Sequence, residues 1–171
     1  MRELQNSRIT LITGGARSGK TRFALEGADQ QASRTYIATA ELLDDDMRER
    51  ATNHRRERGT DWLTIEEPLE IADRLRALRG LVVVDCLTLW LSNWMHRDET
   101  QVERQIAQLC STLRAANCQA RLITNEVGLS IIPENALARR FRDWSGLMNQ
   151  RVAAVADSVV FMVCGVPTKV K

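Results

Sequence analysis

The sequence predicts an α/β fold in which helices cover both faces of a mostly parallel sheet. Short β-rich runs alternate with longer stretches of helical pattern along the chain, and this alternation is typical of parallel sheets. The run at residues 81–85 is continuously apolar up to a final carboxylate, as expected of a strand buried on both faces. A glycine-rich run at residues 14–21 follows the first predicted strand and precedes the first predicted helix.

The predicted elements follow one another without a linker, an internal repeat or a low-complexity segment. Strands are predicted at residues 8–13, 35–39, 81–85, 121–124 and 158–163. Helices are predicted at residues 21–31, 44–58, 68–78, 88–95, 99–116 and 134–156. Three aspartates occupy the first turn of the 44–58 helix, where the helix dipole favours negative charge. One domain spanning residues 1–171 is therefore predicted.

Composition excludes several classes of protein. The chain has 171 residues, of which 44% are hydrophobic and 27% charged, as in ordinary globular proteins large enough to bury a core. A net charge of +2 gives no reason to expect a nucleic-acid partner, and no apolar run is long enough to span a membrane. The four cysteines show no C-x-x-C spacing, which argues against zinc. No signal peptide is recognised before Arg8, so we expect reduced thiols in a cytoplasmic protein.

The glycine-rich run matches the pattern G-x-x-x-x-G-K-[ST], and its members are Gly14, Gly15, Ala16, Arg17, Ser18, Gly19, Lys20 and Thr21. Glycines allow backbone N–H groups to approach phosphate oxygens closely, and the following helix adds the positive end of its dipole. We expect Lys20 to reach the β and γ phosphates of ATP or GTP and the Thr21 hydroxyl to bind Mg²⁺. The predicted fold is thus a P-loop NTPase-type domain, RecA-like. The alternative is a glycine-rich turn with an exposed lysine.

Further candidate residues stand where predicted strands end, because ligands of open α/β sheets bind at the carboxyl ends of the strands. Asp85 is the predicted second Mg²⁺ ligand, with a carboxylate that caps the next helix as the alternative. Residues 37–40 would lie beside the same crevice at the strand ends. The alternative is that they form an ordinary strand and turn with no role in binding. Glu66 or Glu67 is a candidate helix-terminal acid, because Pro68 is typical of a first helical position. Residues 125–128 also follow a predicted strand and so face the crevice.

One histidine carries a further hypothesis. His54 lies four residues after Arg50 and four before Arg58, so the three side chains share one face of the predicted helix. Two nearby guanidinium groups would disfavour protonation of the imidazole, and a neutral imidazole is a nucleophile. A surface helix of mixed charge with an incidental histidine is the alternative. The other histidine, His96, is expected to be a solvated residue in a loop.

Together these residues resemble the bifunctional adenosylcobinamide kinase / adenosylcobinamide-phosphate guanylyltransferase family of cobalamin biosynthesis. The run at residues 14–21 alone would indicate only the P-loop superfamily. An ordered set of further motifs is specific for this family. That set is YIATA at 36–40, RxxxHxxxR at 50–58, EEP at 66–68, VDCLT at 84–88, TNEVG at 124–128, IPEN at 132–135, LARRFRD at 137–143 and KVK at 169–171. The similarity runs from residue 9 to residue 171 and leaves no spare domain.

The resemblance implies a two-step enzyme. The aminopropanol hydroxyl of adenosylcobinamide would take a phosphoryl group from ATP or GTP, and GMP from GTP would then pass through a histidine to give adenosylcobinamide-GDP and pyrophosphate. The histidine of the family falls on His54. The nucleotide contacts implied by the resemblance fall on Thr39, Ala40, Glu41, Arg55, Arg56, Glu57, Arg58, Glu66, Glu67 and Asp85. The family also implies a homo-oligomer and suggests a trimer.

Three other functions stay open on the sequence alone. A RecA-like ATPase or GTPase switch would hydrolyse nucleotide to drive an assembly, but the chain lacks the additional length such machines use for partner domains. A catalytically silent nucleotide-binding module is disfavoured because Lys20, Thr21 and Asp85 are all present. A transferase that lacks the kinase step is the third. The residues that contact the corrinoid and the preferred phosphoryl donor are not assigned by the sequence.

Overall fold

A seven-stranded sheet forms the centre of the molecule. The computed structural model describes residues 7–28, 31–41 and 61–171. Its strands are β1 (Ile9–Gly14), β2 (Arg34–Ala38), β3 (Leu63–Glu66), β4 (Gly80–Asp85), β5 (Cys118–Ile123), β6 (Ser158–Val163) and β7 (Val166–Lys169). They lie in the order β3-β2-β4-β5-β1-β6-β7. Every neighbouring pair is parallel except β6 and β7, which are antiparallel.

Five α-helices are present in the described part of the chain. They are α1 (Lys20–Leu25), α2 (Ile71–Ala77), α3 (Leu87–Asp98), α4 (Val102–Ala115) and α5 (Ala136–Val155), and a 3₁₀ turn at Glu99–Gln101 joins α3 to α4. The Asn135 side chain caps α5 by accepting a hydrogen bond from the Ala138 N–H at 3.1 Å. The predicted helix at residues 44–58 lies outside the described residues.

The sheet separates two apolar cores because successive side chains of a strand point to opposite faces. Helices α2, α3, α4 and α5 pack on one face, against alternate residues of the central strands such as Leu11, Val82 and Leu122. The opposite face packs against α1, through neighbours such as Ile12 and Val83. The prediction of a mostly parallel sheet with helices on both faces is therefore confirmed. Four of the described helices cover one face and α1 covers the other.

Two strands were not predicted, and both lie at the edges of the sheet. β3 is only four residues long, so its apolar/polar alternation of Leu, Thr, Ile and Glu is too short to predict a strand, and Leu63 at its start is 60% exposed. β7 is exposed along its whole length and includes Pro167, which an edge strand tolerates because one side of its backbone needs no partner. The turn between β6 and β7 uses Cys164 and Gly165 at positive φ angles of 52° and 81°.

All five described helices have other bounds than predicted: α2, for example, begins at Ile71 and not at Pro68, and α1 and α3 differ most at their C-terminal ends. α1 ends at Leu25 and not near residue 31, because the backbone is extended at Glu26 and Gly27 then takes a positive φ of 69°. The buried guanidinium of Arg121 donates from Nη1 to the carbonyl oxygens of Ala24 (2.6 Å) and Glu26 (2.8 Å), which stabilises this helix end. α3 continues through His96, so the prediction of a loop at that histidine is wrong.

Tryptophan and cysteine residues contribute to the two apolar cores. Trp90 and Trp94 are buried, and both indole N–H groups donate to the carbonyl oxygen of Leu69, at 2.7 and 3.2 Å. All four cysteines lie in the described part of the chain and are free thiols; Cys164 is the exposed one.

Within the described ranges, no helix combines the length and apolarity that crossing a bilayer requires.

Candidate active site

The loop between β1 and α1 has the backbone of a phosphate-binding loop. Gly14, Arg17 and Gly19 have positive φ angles of 145°, 55° and 90°. A Cβ atom at position 14 would lie 2.6 Å from the Met162 carbonyl oxygen, so this position requires glycine for packing as well as for φ. A Cβ at Gly15 would meet no described atom within 4 Å. The loop therefore passes close to β6 at Gly14 and is open at Gly15.

The Lys20 side chain folds back across this loop. Its Nζ atom donates to the carbonyl oxygens of Gly14 at 3.0 Å and Gly15 at 2.5 Å, and lies 3.5 Å from Ser18 Oγ. The residue is only 8% exposed. Burial lowers the pKa of the Lys20 ammonium from its ordinary value, while charge interactions with Cys86 and Asp85 act in the opposite direction. The positive charge of Lys20 is thus held beside the position expected for the phosphates, where water is partly excluded.

The structure brings Thr21 and Asp85 together. The Thr21 hydroxyl donates to Asp85 Oδ2 at 3.0 Å, which joins the start of α1 to the end of β4. Tyr36, buried on β2, donates its phenolic hydroxyl to the same oxygen at 2.5 Å. Sequence reasoning missed Tyr36, although its position two residues before the end of β2 places it on the same face as α1.

The segment after β2 is part of the strand-end crevice. Thr39 is fully buried, and its hydroxyl donates to the Cys86 carbonyl oxygen at 2.7 Å and accepts from the Cys86 N–H at 2.8 Å. Burial, with a smaller contribution from the Asp85 charge, raises the pKa of the Cys86 thiol to about 12. Ala40 is half-buried and Glu41 exposed at the end of the described segment. Thr39 thus holds the backbone that follows Asp85.

The two predicted acids have different surroundings. Glu66 ends β3 and is exposed. The Glu67 carboxylate accepts from the Leu69 and Glu70 N–H groups at 3.3 and 3.0 Å and pairs with Arg74 at 2.9 Å. Although burial alone would raise it, these backbone hydrogen bonds and the Arg74 contact lower the pKa of Glu67. Glu67 therefore stabilises the turn that enters α2. Contact with a nucleotide stays a prediction for both acids.

The remaining predicted residues are His54, Arg55, Arg56, Glu57 and Arg58, and all five lie outside the described residues. The same is true of Arg50. Their predicted roles as nucleophile and nucleotide contacts stay predictions.

A polar network behind the crevice was also missed by the sequence. Thr88 on α3, Thr124 directly after β5 and Asn149 on α5 are all buried. The Thr124 hydroxyl donates to Asn149 Oδ1 at 2.9 Å, and the Thr88 and Thr124 hydroxyl oxygens are 3.4 Å apart. Thr88 follows Asp85 by three residues, but nothing in the sequence links it to a residue sixty positions later.

The oxygen atoms at the site fit Mg²⁺. Mg²⁺ binds hard oxygen ligands and usually takes only one or two from the protein, with water and phosphate oxygens completing its shell. The Thr21 hydroxyl and the Asp85 carboxylate supply such a pair within 3.0 Å of each other. In the described part of the chain, no three His, Cys, Asp or Glu side chains are grouped so that they could hold a metal ion by themselves. The arrangement therefore suits a metal that arrives with a nucleotide.

Three relatives are similar to this chain over nearly its whole length. The chain is 39% identical over 166 residues to the bifunctional adenosylcobalamin biosynthesis protein CobP of Pseudomonas aeruginosa, covering 94% of this chain and 96% of the relative. To the bifunctional adenosylcobalamin biosynthesis proteins CobU of Escherichia coli and Salmonella typhimurium it is 34% and 39% identical, in each case covering 95% of this chain and 99% of the relative.

Solved structures confirm the fold. A protein from Pyrococcus horikoshii OT3 superposes with a TM-score of 0.56 at 9% identity, over 99% of this chain and 89% of that protein. A prototypical ATPase from the type III secretion system of pathogenic bacteria superposes with a TM-score of 0.51 at 12% identity, over 92% of this chain and 51% of that ATPase. At such low identity these likenesses concern the fold alone, and they agree with the predicted α/β fold.

A family model described as cobinamide kinase / cobinamide phosphate guanyltransferase matches residues 10–170. The match therefore includes the phosphate loop, the strand ends and the buried network, and it extends across the segment that carries His54. Together with the full-length relatives, it identifies the chain as an enzyme. The chain belongs to the cobinamide kinase / cobinamide phosphate guanyltransferase family.

Proposed function

We propose that this enzyme phosphorylates the aminopropanol hydroxyl of adenosylcobinamide with ATP or GTP and then converts the product to adenosylcobinamide-GDP. The observation that carries the proposal is the meeting of Lys20, Thr21 and Asp85 at one phosphate loop, in a chain whose family is named for both activities. The relatives are named as bifunctional proteins of adenosylcobalamin biosynthesis, which supports the same two-step assignment.

In the first step the hydroxyl oxygen of the corrinoid arm attacks the γ-phosphorus of the nucleotide. The bond from that phosphorus to the β–γ bridging oxygen breaks, the nucleoside diphosphate leaves and the hydroxyl releases its proton to water. Lys20 would exchange its contacts with the loop carbonyls for contacts with the β and γ phosphates, whose charge it stabilises. Thr21 and Asp85 would hold Mg²⁺, which neutralises phosphate charge when bound. This step needs mainly positioning and electrostatic stabilisation.

In the second step a nitrogen of His54 attacks the α-phosphorus of GTP and pyrophosphate leaves. A phosphate oxygen of the phosphorylated corrinoid then attacks the same phosphorus, the histidine leaves and the diphosphate bridge forms. The sequence supports His54 through its place between Arg50 and Arg58 and through the family motif. Arg55, Arg56, Glu57 and Arg58, with Thr39, Ala40, Glu41, Glu66 and Glu67, are the proposed nucleotide contacts around it.

Two narrower alternatives remain to be separated from this proposal. A transferase without the kinase step would form adenosylcobinamide-GDP only when given the phosphorylated corrinoid. A nucleotide-hydrolysing switch would release phosphate steadily without any corrinoid. The secretion ATPase that shares the fold gives no support to the switch, because at 12% identity the likeness does not extend to function.

Labelled nucleotide distinguishes these possibilities. With GTP labelled at the α-phosphate, we expect label to remain on the denatured protein, and with label at the γ-phosphate we expect none to remain there. With γ-labelled ATP and adenosylcobinamide, label should appear in the corrinoid. An absence of α-label on the protein would contradict the covalent step, and an absence of label in the corrinoid would contradict the kinase step.

The proposal also includes the number of subunits and the location of the enzyme in the cell. We expect a homo-oligomer, with a trimer as the state that the family suggests, located in the cytoplasm, where nucleoside triphosphates are available and its thiols stay reduced. Light scattering coupled to size-exclusion chromatography measures the number of subunits directly, and a monomeric mass would contradict the oligomer.

A further inference from the structure

The buried network of Thr88, Thr124 and Asn149 fixes one short piece of backbone. Asn149 Nδ2 donates to the Asn125 carbonyl oxygen at 3.2 Å, and the Asn125 N–H donates to the Thr88 hydroxyl at 2.7 Å. Side chains from two different helices thus hold both polar groups of the Asn125 peptide backbone. The third member, Thr124, joins those two side chains through its own hydroxyl.

This backbone lies between the two halves of the candidate site. β5 is placed between β1, which ends at the phosphate loop, and β4, which ends at Asp85. Its last residue, Ile123, is in register with Ile12 on one side and Asp85 on the other. The next residues therefore leave the sheet between the phosphate loop and the proposed metal ligand.

The network is also connected to the phosphate loop itself. The Glu126 N–H donates to the Gly14 carbonyl oxygen at 3.2 Å, and Lys20 donates to the same oxygen at 3.0 Å. A chain of hydrogen bonds thus runs from Asn149 on α5 through the Asn125–Glu126 backbone to the first glycine of the loop. Hydrogen bonds in such a chain polarise and rigidify one another when every member is satisfied.

An apolar core would be the simpler solution at this place. Met148 and Val152, the neighbours of Asn149 on α5, are fully buried apolar residues. Burying a polar group costs free energy unless it is hydrogen-bonded, so three buried polar side chains here are an expensive way to pack two helices against a sheet. The three polar side chains fix the position of the Asn125 backbone, which apolar residues could not do.

We infer that Asn149 and Thr88 are positioning residues for phosphoryl transfer, which they serve by holding the Asn125–Glu126 segment between the phosphate loop and Asp85. The inference rests on the proposed function. Neither side chain needs to touch the nucleotide. A displacement of about 1 Å near reacting groups can cost about 100-fold in rate. Nucleotide affinity comes mainly from loop N–H groups and Lys20, and these keep two contacts outside the network: Lys20 with the Gly15 carbonyl oxygen, and Gly14 with Met162 of β6. Loss of the network should therefore lower kcat and spare KM for ATP.

The test uses two variants that remove the network and two that keep it. Asn149→Leu and Thr88→Val remove the polar atoms at nearly constant volume; Thr88→Ser keeps the hydroxyl; Gln150→Ala changes the exposed neighbour of Asn149 on α5. We expect Asn149→Leu and Thr88→Val to lower kcat for adenosylcobinamide phosphorylation by about 10- to 100-fold, with KM for ATP within about threefold. Thr88→Ser and Gln150→Ala should stay within about threefold of wild type in both constants.

Activity is expressed per ATP-binding site, counted by titration with a non-hydrolysable ATP analogue, and melting temperatures are measured in parallel. Wild-type kcat in Asn149→Leu and Thr88→Val would overturn the inference. An equal loss in Thr88→Ser and Thr88→Val, or a loss that only follows the number of folded binding sites, would also overturn it. Failure of the proposed function is distinguishable from these results, because then the wild-type enzyme itself phosphorylates no corrinoid, and both proposals fall together.

Discussion

At the scale of single residues, Lys20 combines burial with a positive charge. The ammonium is held by the loop's own carbonyl oxygens at 3.0 and 2.5 Å, so it is already aimed across the phosphate site before a nucleotide arrives. We expect Lys20→Ala to lower kcat for phosphoryl transfer by about 100- to 1000-fold and to raise KM for the nucleotide, because the charge stabilises both bound and transferring phosphates. Steady-state kinetics measures both constants. Lys169→Ala, at an exposed lysine on β7, is the matched control, and a near-native rate in Lys20→Ala would remove the basis of the proposed function.

Asp85 is the residue whose role depends on Mg²⁺. A neutral amide is a poorer ligand for a hard cation, so Asp85→Asn should raise the Mg²⁺ concentration that gives half-maximal activity by about tenfold or more. Titrating Mg²⁺ in both assays measures this shift, and EDTA should stop both steps in the wild-type enzyme. Asp73→Asn changes an exposed aspartate on α2 and should leave the titration unchanged. If Asp85→Asn shows the wild-type Mg²⁺ dependence, Asp85 has only a structural role.

At the scale of elements, the phosphate loop offers a matched pair of glycines. Gly14→Ala would place a Cβ atom 2.6 Å from the Met162 carbonyl oxygen at a φ of 145°, whereas Gly15→Ala would meet no described atom within 4 Å. We expect Gly14→Ala to destabilise the protein by about 1–3 kcal/mol through this strain, and Gly15→Ala to change the free energy of unfolding little. Chemical denaturation measures both. Equal stability of the two variants would show that the loop adapts to a side chain at position 14.

The sequence predicted those elements whose signal is local. The apolar run of β4 and the pattern of the phosphate loop are each contained in a few residues, and both were found. β3 was missed because its alternating pattern is only four residues long. β7 was missed because it has no apolar alternation and because Pro167 argues against a strand unless an edge position is foreseen. The bonds from Tyr36 to Asp85 and from Asn149 to Asn125 join residues far apart in the sequence, so only the register of the sheet and the packing of α5 reveal them.

At the scale of the whole molecule, the two proposed activities should be separable by one substitution. Phosphoryl transfer depends on the loop, Lys20 and Mg²⁺, whereas the second step needs the imidazole of His54 as a nucleophile. We expect His54→Ala to phosphorylate adenosylcobinamide within about tenfold of the wild-type rate, about 1.4 kcal/mol of barrier. It should form no protein–GMP adduct and no adenosylcobinamide-GDP, as measured with α-labelled GTP.

Two checks accompany this variant. His96→Ala removes the other histidine, which is exposed on α3, and should leave both activities intact. The wild-type adduct should be labile in acid and stable in alkali, because a phosphoramidate has that behaviour and a serine or threonine ester does not. GMP bound to His54→Ala protein would place the nucleophile elsewhere.

The order of the strands has a consequence for how the chain acquires its activity during synthesis. β1 is made first, yet it pairs only with β5 and β6, which come from the last third of the chain. Such distant pairings close slowly, because a long loop must be ordered before they form. The phosphate loop at the end of β1 therefore reaches its binding shape only after β5 and β6 have left the ribosome. Nucleotide should then bind the completed fold and not its precursors, so cellular ATP and GTP would draw newly made chains towards the native state.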